Sequence, residues 1–543
     1  MKGKSIGKQS TAKGFAVLTA SNLFVRILGF IYVLPLTRLI GNEGNGLYGV
    51  GYQIYIFLFI LSNTGLPAAI AKAVSENRAV GDYESAHTAF QVAMKILLVL
   101  GSLTTAMMIL AAYWVDAYLW PRTFYTILAL SPTLLLASIM SGFRGYFQGM
   151  SLMTPTGVSQ IIEQIAKAIS AVGLAYLLLG QGVEIAAGGA TFGTTLGALF
   201  GVLYLAARYY RARPGIREDI QLHQSMPRRH SPGSLLRTVV SYAVPITLGS
   251  AVLSMGNLVD LALVGSRLQK AGFSQIETDA LYGILNTQNA RLVNLPTALS
   301  TALAAALLPG ISAAVAERNA ESLKYKTTEA LKVSTLIAAP AAVGLSILSH
   351  SLIAVLFPTH PDGGDVLAIG AFSILFISLV QVLTAVLQGA GKMHLPPIFL
   401  LSGVLIKSVL NYQLVAIPEL NIRGAVISSV VAYFVVVIAD YVALRRTVRI
   451  AIPVRDVFAR PITSAAIMGA VVWIARECLY KLGLPNLVVA AAGVTLGIAV
   501  YGACVIALRG ITPSELKRLP GGSFLLRQLI RLRVWPAESE NRG

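Results

Sequence analysis

Gly14-Phe-Ala-Val-Leu-Thr-Ala-Ser-Asn-Leu-Phe-Val-Arg26-Ile-Leu-Gly-Phe-Ile-Tyr-Val-Leu-Pro-Leu-Thr-Arg-Leu-Ile40 is one long apolar run with an arginine near its middle. A transmembrane helix needs about 20 mostly apolar residues, and this run supplies them. A second run, Ala280–Ala306, carries Arg291 in the same way. A charge near the bilayer centre costs roughly 2.5–3.5 kcal/mol on insertion scales, so such residues face a bundle interior or a wet cavity. Arg26 stands about twelve positions from either end of its run, too deep for its side chain to reach interfacial water easily.

The rest of the chain repeats the message. Of its 543 residues, 55% are hydrophobic and 12% charged, far from the usage of a soluble globular domain. Roughly fourteen windows are long and apolar enough to span, so the expected fold is an all-α polytopic membrane protein with about 14 transmembrane helices. Polar breaks fall at 113–123, 208–237 and 358–365. The first span is too long for a cleaved signal peptide, and no small-residue cleavage site follows a short apolar core. Cys478 and Cys504 lie in late spans with no metal or disulfide spacing and read as small core residues. The six histidines form no cluster, and no phosphate-binding loop, nucleophile elbow or paired-carboxylate pattern is present. ATPase and hydrolase chemistry are excluded, and no cofactor is expected.

The net charge of +19 is arranged by topology and not as a nucleic-acid face. Lysine and arginine concentrate in alternate loops: Lys2–Lys13, Arg208–Arg237, Arg318–Lys332, Arg445–Arg460 and the tail from Arg509. By the positive-inside rule both termini are cytoplasmic, which requires an even number of spans. The tail Phe524–Trp535 mixes apolar residues with Arg527, Arg531 and Arg533 and reads as a helix lying on anionic lipid.

The chain is also written twice. Asn45-Gly-Leu-Tyr-Gly-Val50 recurs as Asp279-Ala-Leu-Tyr-Gly-Ile284, and Leu66-Pro-Ala-Ala-Ile-Ala-Lys-Ala-Val-Ser-Glu76 as Leu308-Pro-Gly-Ile-Ser-Ala-Ala-Val-Ala-Glu317. Gln148 and Gln388 each precede a lysine, Lys167 and Lys407, by nineteen residues. The offsets stay between 234 and 242 residues. Six spans per copy give both copies one orientation, a parallel repeat about an axis along the membrane normal. The organisation expected is an N-lobe at 1–215, a basic cytoplasmic linker at 216–235, a C-lobe at 236–450, two extra spans within 451–510 and a basic amphipathic tail at 511–543. Two such lobes enclose a central cavity that opens to either side by rocking.

Intramembrane charges should line that cavity. Arg26, Lys167, Arg291 and Lys407 face only two acids, Glu163 and Asp260. Glu163 and Lys167 are spaced i,i+4, the order that favours a helical ion pair, while Lys407 has no acid within one turn. Asp260 is a candidate ion or proton site, so coupling to Na⁺, H⁺ or membrane potential stays open. Lys95 and Asp440, the latter near Arg445, read as interface residues. A net cationic cavity suits an anionic ligand, and guanidinium forks suit phosphate in particular.

Phe24-Val-Arg-Ile-Leu-Gly-Phe30, Gly41-Asn-Glu-Gly-Asn-Gly-Leu-Tyr48, Gly65-Leu-Pro-Ala-Ala-Ile-Ala-Lys72 and Arg291-Leu-Val-Asn-Leu-Pro296 with Leu307-Leu-Pro-Gly-Ile-Ser312 resemble the polysaccharide-transporter branch of the MOP flippase superfamily. The likeness is to the stage V sporulation protein B group and to MurJ-type lipid II flippases. It implies a bacterial plasma-membrane flippase that moves an undecaprenyl-pyrophosphate-linked cell-wall precursor outward by alternating access. Arg26 and Arg291 would meet the pyrophosphate, and the two extra spans would form a groove for the polyprenyl tail. Lipid-linked saccharide, membrane lipids and cell-wall synthases are the implied partners. The chain departs from the Gram-negative pattern at Tyr32, where a second arginine stands, and at Asn294, where an acid follows the span-8 arginine. It also lacks the basic pair at Phe57–Leu61. The alternatives are a cation-exporting antiporter of the multidrug and toxin extrusion type, an exporter of another lipid-linked oligosaccharide, and a non-transporting scaffold.

Overall fold

The computed structural model of the chain describes residues 11–222, 231–448 and 451–511. The expected tail helix, the N-terminal lysines up to residue 10 and residues 223–230 of the central basic linker lie outside those residues. Among the described residues the chain is helical, with no strand. Thirteen helical segments are long and apolar enough to cross a membrane, and the shorter apolar stretch Val17–Ile31 would make a fourteenth. The chain is an all-α, multi-pass membrane protein.

Contacts divide the chain into two compact units, one running to Arg291 and including Leu400–Ser428, the other made of Leu292–Phe399 and the chain from Ser429. The first unit holds α1 (Thr11–Ile31), α2 (Val33–Asn63), α3 (Gly65–Ala79), α4 (Tyr83–Tyr118), α5 (Phe124–Gly149), α6 (Thr154–Leu178), α7 (Val183–Leu222), α8 (Pro232–Lys270) and α9 (Gln275–Gly283). A π-helical turn, Ile284–Asn289, leads from α9 into α10 (Ala290–Ala316). π-Helical turns are rare and gather at functional sites; this one ends two residues before Arg291.

The second unit takes in most of α10 with α11 (Ala320–Ile347), α12 (Ser349–Leu356), α13 (Gly364–Gly370) and α14 (Ser373–Gly389). Two helices are shared by the units, α15 (Leu395–Leu414) and α16 (Asn421–Ala443), and α17 (Arg460–Lys481) and α18 (Asn486–Ala507) complete the second. Its core joins Ile311 and Ala314 of α10 to Leu331 of α11 and to Val382, Leu383 and Leu387 of α14.

The repeated motifs meet inside the first unit. A Cβ on Gly46 would stand 1.9 Å from the Asp279 carbonyl oxygen, and one on Gly283 would stand 2.0 Å from that of Asn42. Only glycine permits this backbone-to-backbone approach of α2 and α9. Side-chain amides stitch the same contact: Gln53 donates to Asn286 and Gln288 to Asn42, each at 3.0 Å. The helix also breaks at Gly41, whose φ of 66° is open to glycine and costly for other residues.

Candidate functional site

The polar centre of the first unit is built around tyrosines. Tyr48, Tyr52 and Tyr55 recur at helical spacing along α2, so their rings share a face; successive ring centroids lie 5.6 and 5.5 Å apart. Tyr32, just before α2, places its hydroxyl 3.2 Å from that of Tyr48. Lys167 of α6, only 7% exposed, turns into this group. Its Nζ donates to the Tyr52 hydroxyl at 3.2 Å and lies 4.6 Å from the Tyr52 ring centre and 5.8 Å from that of Tyr32. Arg291 reaches the same place from α10, its guanidinium 6.0 Å from the Tyr32 ring centre and its Nη1 donating to the Gly29 carbonyl at 3.2 Å.

No carboxylate pairs with Lys167 or Arg291 among the described residues. Aromatic faces and hydroxyls stabilise a cation by about 0.5–2 kcal/mol without cancelling its charge. The cluster therefore keeps two positive charges that no carboxylate offsets. A lysine and a guanidinium fork that both approach the Tyr32 ring are groups of the kind that hold phosphate.

Two expectations about the acids need correction. Glu163 does not pair with Lys167. Its carboxylate accepts from Arg144 of α5 at 2.7 Å, and Arg144 also donates to Ser159 at 3.0 Å. The favourable i,i+4 spacing loses to a guanidinium from the neighbouring helix, and Lys167 is left for the tyrosines. Nor is Lys407 an isolated cation. It donates to Asp260 of α8 at 2.6 Å, and Asn411 donates to the other oxygen of that carboxylate at 2.7 Å. The partner lies 147 residues away in sequence, out of reach of any one-helix argument. The imbalance of four cations over two acids thus does not survive as counted, since Asp260 neutralises Lys407 and Glu163 is taken by Arg144.

The remaining candidates lie apart from this cluster. Arg26 is exposed on α1, and Asn294 is exposed on α10. Asp260, a candidate ion or proton site, already holds the Lys407 ammonium. No group of three or more His, Cys, Asp or Glu suited to a metal occurs among the described residues. Asp440, near the end of α16, is fully buried in the second unit, with both carboxylate oxygens unpartnered. Lys95 is exposed, and so is Cys478, which was expected in a core. Tyr48, Tyr52 and Arg144 are not singled out by charge or motif, although the i,i+4,i+7 spacing of the α2 tyrosines is a usable signal. Tyr32, noted only for replacing an arginine, proves to be a ring partner of both free cations.

The second unit carries a separate feature, an apolar cavity of about 550 Å³ between α11, α12, α17 and α18. Leu345, Leu348, Met468, Val472 and Ile498 line it, and Gly493 and Gly497 keep the α18 wall low. Tyr501 at its edge spends its hydroxyl on the Leu336 carbonyl at 2.9 Å, which leaves the wall apolar.

Comparison with known proteins places this architecture. Residues 11–315 match the model of a family described as polysaccharide biosynthesis protein, and residues 245–413 match the MatE model. The chain is 29% identical over 535 residues to the lipid II flippase MurJ of Bacillus subtilis, covering 94% of this chain and 97% of that protein. It is 26% identical over 522 residues to stage V sporulation protein B of the same organism, covering 95% and 98%. Among solved structures, the inward closed conformation of the lipid II flippase MurJ superposes with a TM-score of 0.65 at 15% identity, covering 95% of this chain and all of that one. This likeness shows a shared all-helical transporter fold.

Proposed function

The chain belongs to the polysaccharide biosynthesis protein family of the MOP superfamily, and from that premise we propose that it is an alternating-access flippase for an undecaprenyl-pyrophosphate-linked cell-wall precursor, with lipid II as cargo. It performs no covalent chemistry. One observation carries the reading: Lys167 and Arg291 sit among the rings of Tyr32 and Tyr52 with no carboxylate to neutralise them. A membrane protein that keeps one buried and one part-buried cation uncompensated pays for their desolvation, and an anionic ligand offsets that cost when it binds.

In this reading the diphosphate binds between Lys167 and Arg291, with Arg26 meeting the headgroup along the way. The apolar cavity between α11, α12, α17 and α18 takes the polyprenyl tail, whose methylenes each gain about 0.8 kcal/mol on burial. The termini face the cytoplasm of a bacterial cell, an orientation that the basic loops support. An exporter of cationic drugs would need free acids beside its cargo, yet the two acids of the first unit that the sequence offers for that role, Glu163 and Asp260, are both committed to basic partners.

The test is the accessibility of lipid II in cells that depend on this protein alone, read with an external enzyme that cleaves only outward-facing lipid II. Cleavage should collapse in Arg291→Ala and in Lys167→Met while both proteins stay folded in the membrane. Undiminished cleavage in both variants would sink the assignment, and normal growth with cleavage absent even in the parent would redirect it to another lipid-linked glycan.

A further inference from the structure

The five residues between α4 and α5, Leu119–Thr123, tie together more of the first unit than any loop of that length needs to. Arg122 lies there with φ of 73°, a left-handed conformation that is uncommon outside glycine and persists only where the surroundings enforce it. Its guanidinium makes three ion pairs to three helices: Nη2 to Glu43 of α2 at 2.5 Å, Nε to Glu184 of α7 at 2.6 Å, and Nη1 to Asp279 of α9 at 3.2 Å. Asp279 is completely buried, and Gln275 also donates to it, at 2.8 Å. Burial works against the Arg122 charge, yet its hydrogen bonds to Glu184 and Glu43 outweigh it and hold the guanidinium above its ordinary range.

Two residues earlier, Trp120 drives the same loop into α8 and α9. It is 1% exposed, its indole N–H donates to the Leu261 carbonyl at 2.7 Å, and its ring lies 4.7 Å from that of Tyr282. Gly265 makes room for it, because a Cβ there would stand 2.7 Å from the indole. The Thr123 hydroxyl donates to the Trp120 carbonyl at 2.7 Å, and the Phe124 N–H to Asp116 at 3.0 Å, so the loop itself is braced. Arg122 thus grips α2 and α7 from the first repeat and α9 from the second, while Trp120 wedges between α8 and α9. The contact it spans is the one where Gly46 and Gly283 bring α2 and α9 backbone to backbone.

We propose that Leu119–Thr123 is a clasp that keeps the non-cytoplasmic end of this unit shut, and that withdrawal of Trp120 and Arg122 is the step that lets α2 and α9 part. The proposal rests on the membrane orientation adopted above and on no particular cargo. Clasps of this kind are two-state elements: an ion-paired guanidinium and a seated indole are lost together or not at all, because one short loop carries both. Weakening the clasp should therefore shift a population and not merely soften a surface.

The experiment uses the full chain with Cys478→Ser and Cys504→Ser, and a reporter thiol at Asn286→Cys, next to the α2–α9 contact. A membrane-impermeant methanethiosulfonate is applied from outside the cell. Labelling should be slow in the parent and about tenfold faster in Arg122→Ala and in Trp120→Ala, the shift expected when a closed state loses its latch. Arg122→Lys keeps the charge without the fork and should fall between. A control thiol guards against misfolding: Leu482→Cys in place of the Asn286 reporter, exposed between α17 and α18 of the other unit, should label at the parental rate in every variant, and the detergent-solubilised variants should melt close to the parent. Unchanged labelling of the Asn286→Cys reporter in folded Arg122→Ala and Trp120→Ala would overturn the proposal, as would an equal acceleration at the Leu482→Cys control. Failure of the lipid II assignment would leave all of these rates untouched.

Discussion

Lys167 and Lys407 occupy matching places in the two copies of the repeat, 240 residues apart and each nineteen residues after a glutamine. Both are 7% exposed. Their surroundings are opposite. Lys407 is closed off by Asp260, which Asn411 also holds, so its charge is spent inside the protein. Lys167 meets only tyrosine hydroxyl and ring, so its charge is supported and still available. Duplication supplies two equivalent cations, and the neighbouring helices decide which is paired with a carboxylate and which is not.

The largest effect should come from breaking the structural half. Lys407→Met would leave the Asp260 carboxylate buried with Asn411 alone, and removing one partner of a buried pair costs about 3–5 kcal/mol. The melting temperature of the detergent-solubilised protein should drop sharply. Adding Asp260→Asn should recover most of the loss, since an amide and a methionine carry no charge to strand. A Lys407→Met protein as stable as the parent would show that Asp260 is not committed to Lys407.

Lys167→Met tests the other half, and there stability should hold while function fails. A hydrogen bond to a charged ligand group contributes about 1.5–3 kcal/mol, so outward lipid II accessibility should fall by roughly ten- to a hundredfold. The two lysine variants are expected to cross: one loses stability first, the other loses transport first. Matching behaviour from both would erase the distinction drawn between the repeats.

How much of this was legible beforehand follows from the same pair. The all-helical fold, the duplication and the depth of Lys167, Arg291 and Lys407 are properties of one strand of sequence, and spacing alone reveals them. The partners are not. Arg144 reaches Glu163 from another helix, Asp260 meets Lys407 across 147 residues, and Arg122 collects acids from α2, α7 and α9; no local period encodes such contacts. Asp440 shows a further limit, since its closeness to Arg445 in sequence said nothing of its burial or of its two unpartnered oxygens. The tyrosine face of α2 was readable at i,i+4,i+7, and was missed because tyrosines in an apolar helix look like filler until a cation is set beside them.

The comparison sharpens if one environment is converted into the other. Tyr52→Glu would give Lys167 the kind of partner that Lys407 has, neutralising it without removing it. Cleavage of outward lipid II should fall by about tenfold, less than in Lys167→Met because the lysine is still present and an anionic cargo can compete for it. Retained transport in Tyr52→Glu would mean that the charge on Lys167 is not what the cargo meets.

The smallest change separates the two ways in which Tyr52 serves Lys167. Tyr52→Phe removes the hydroxyl that accepts from Nζ at 3.2 Å and keeps the ring 4.6 Å away. A single such hydrogen bond contributes about 0.5–1.5 kcal/mol net, so transport should fall by less than about tenfold, with melting hardly moved. Tyr52→Leu removes ring and hydroxyl together and should cost visibly more, because the lysine then loses the face that supports its charge in a dry site. If the phenylalanine variant is as damaged as the leucine one, the hydroxyl alone orients Lys167. If both are near parental, the tyrosines are packing, and the contrast between the two lysines rests on Asp260 alone.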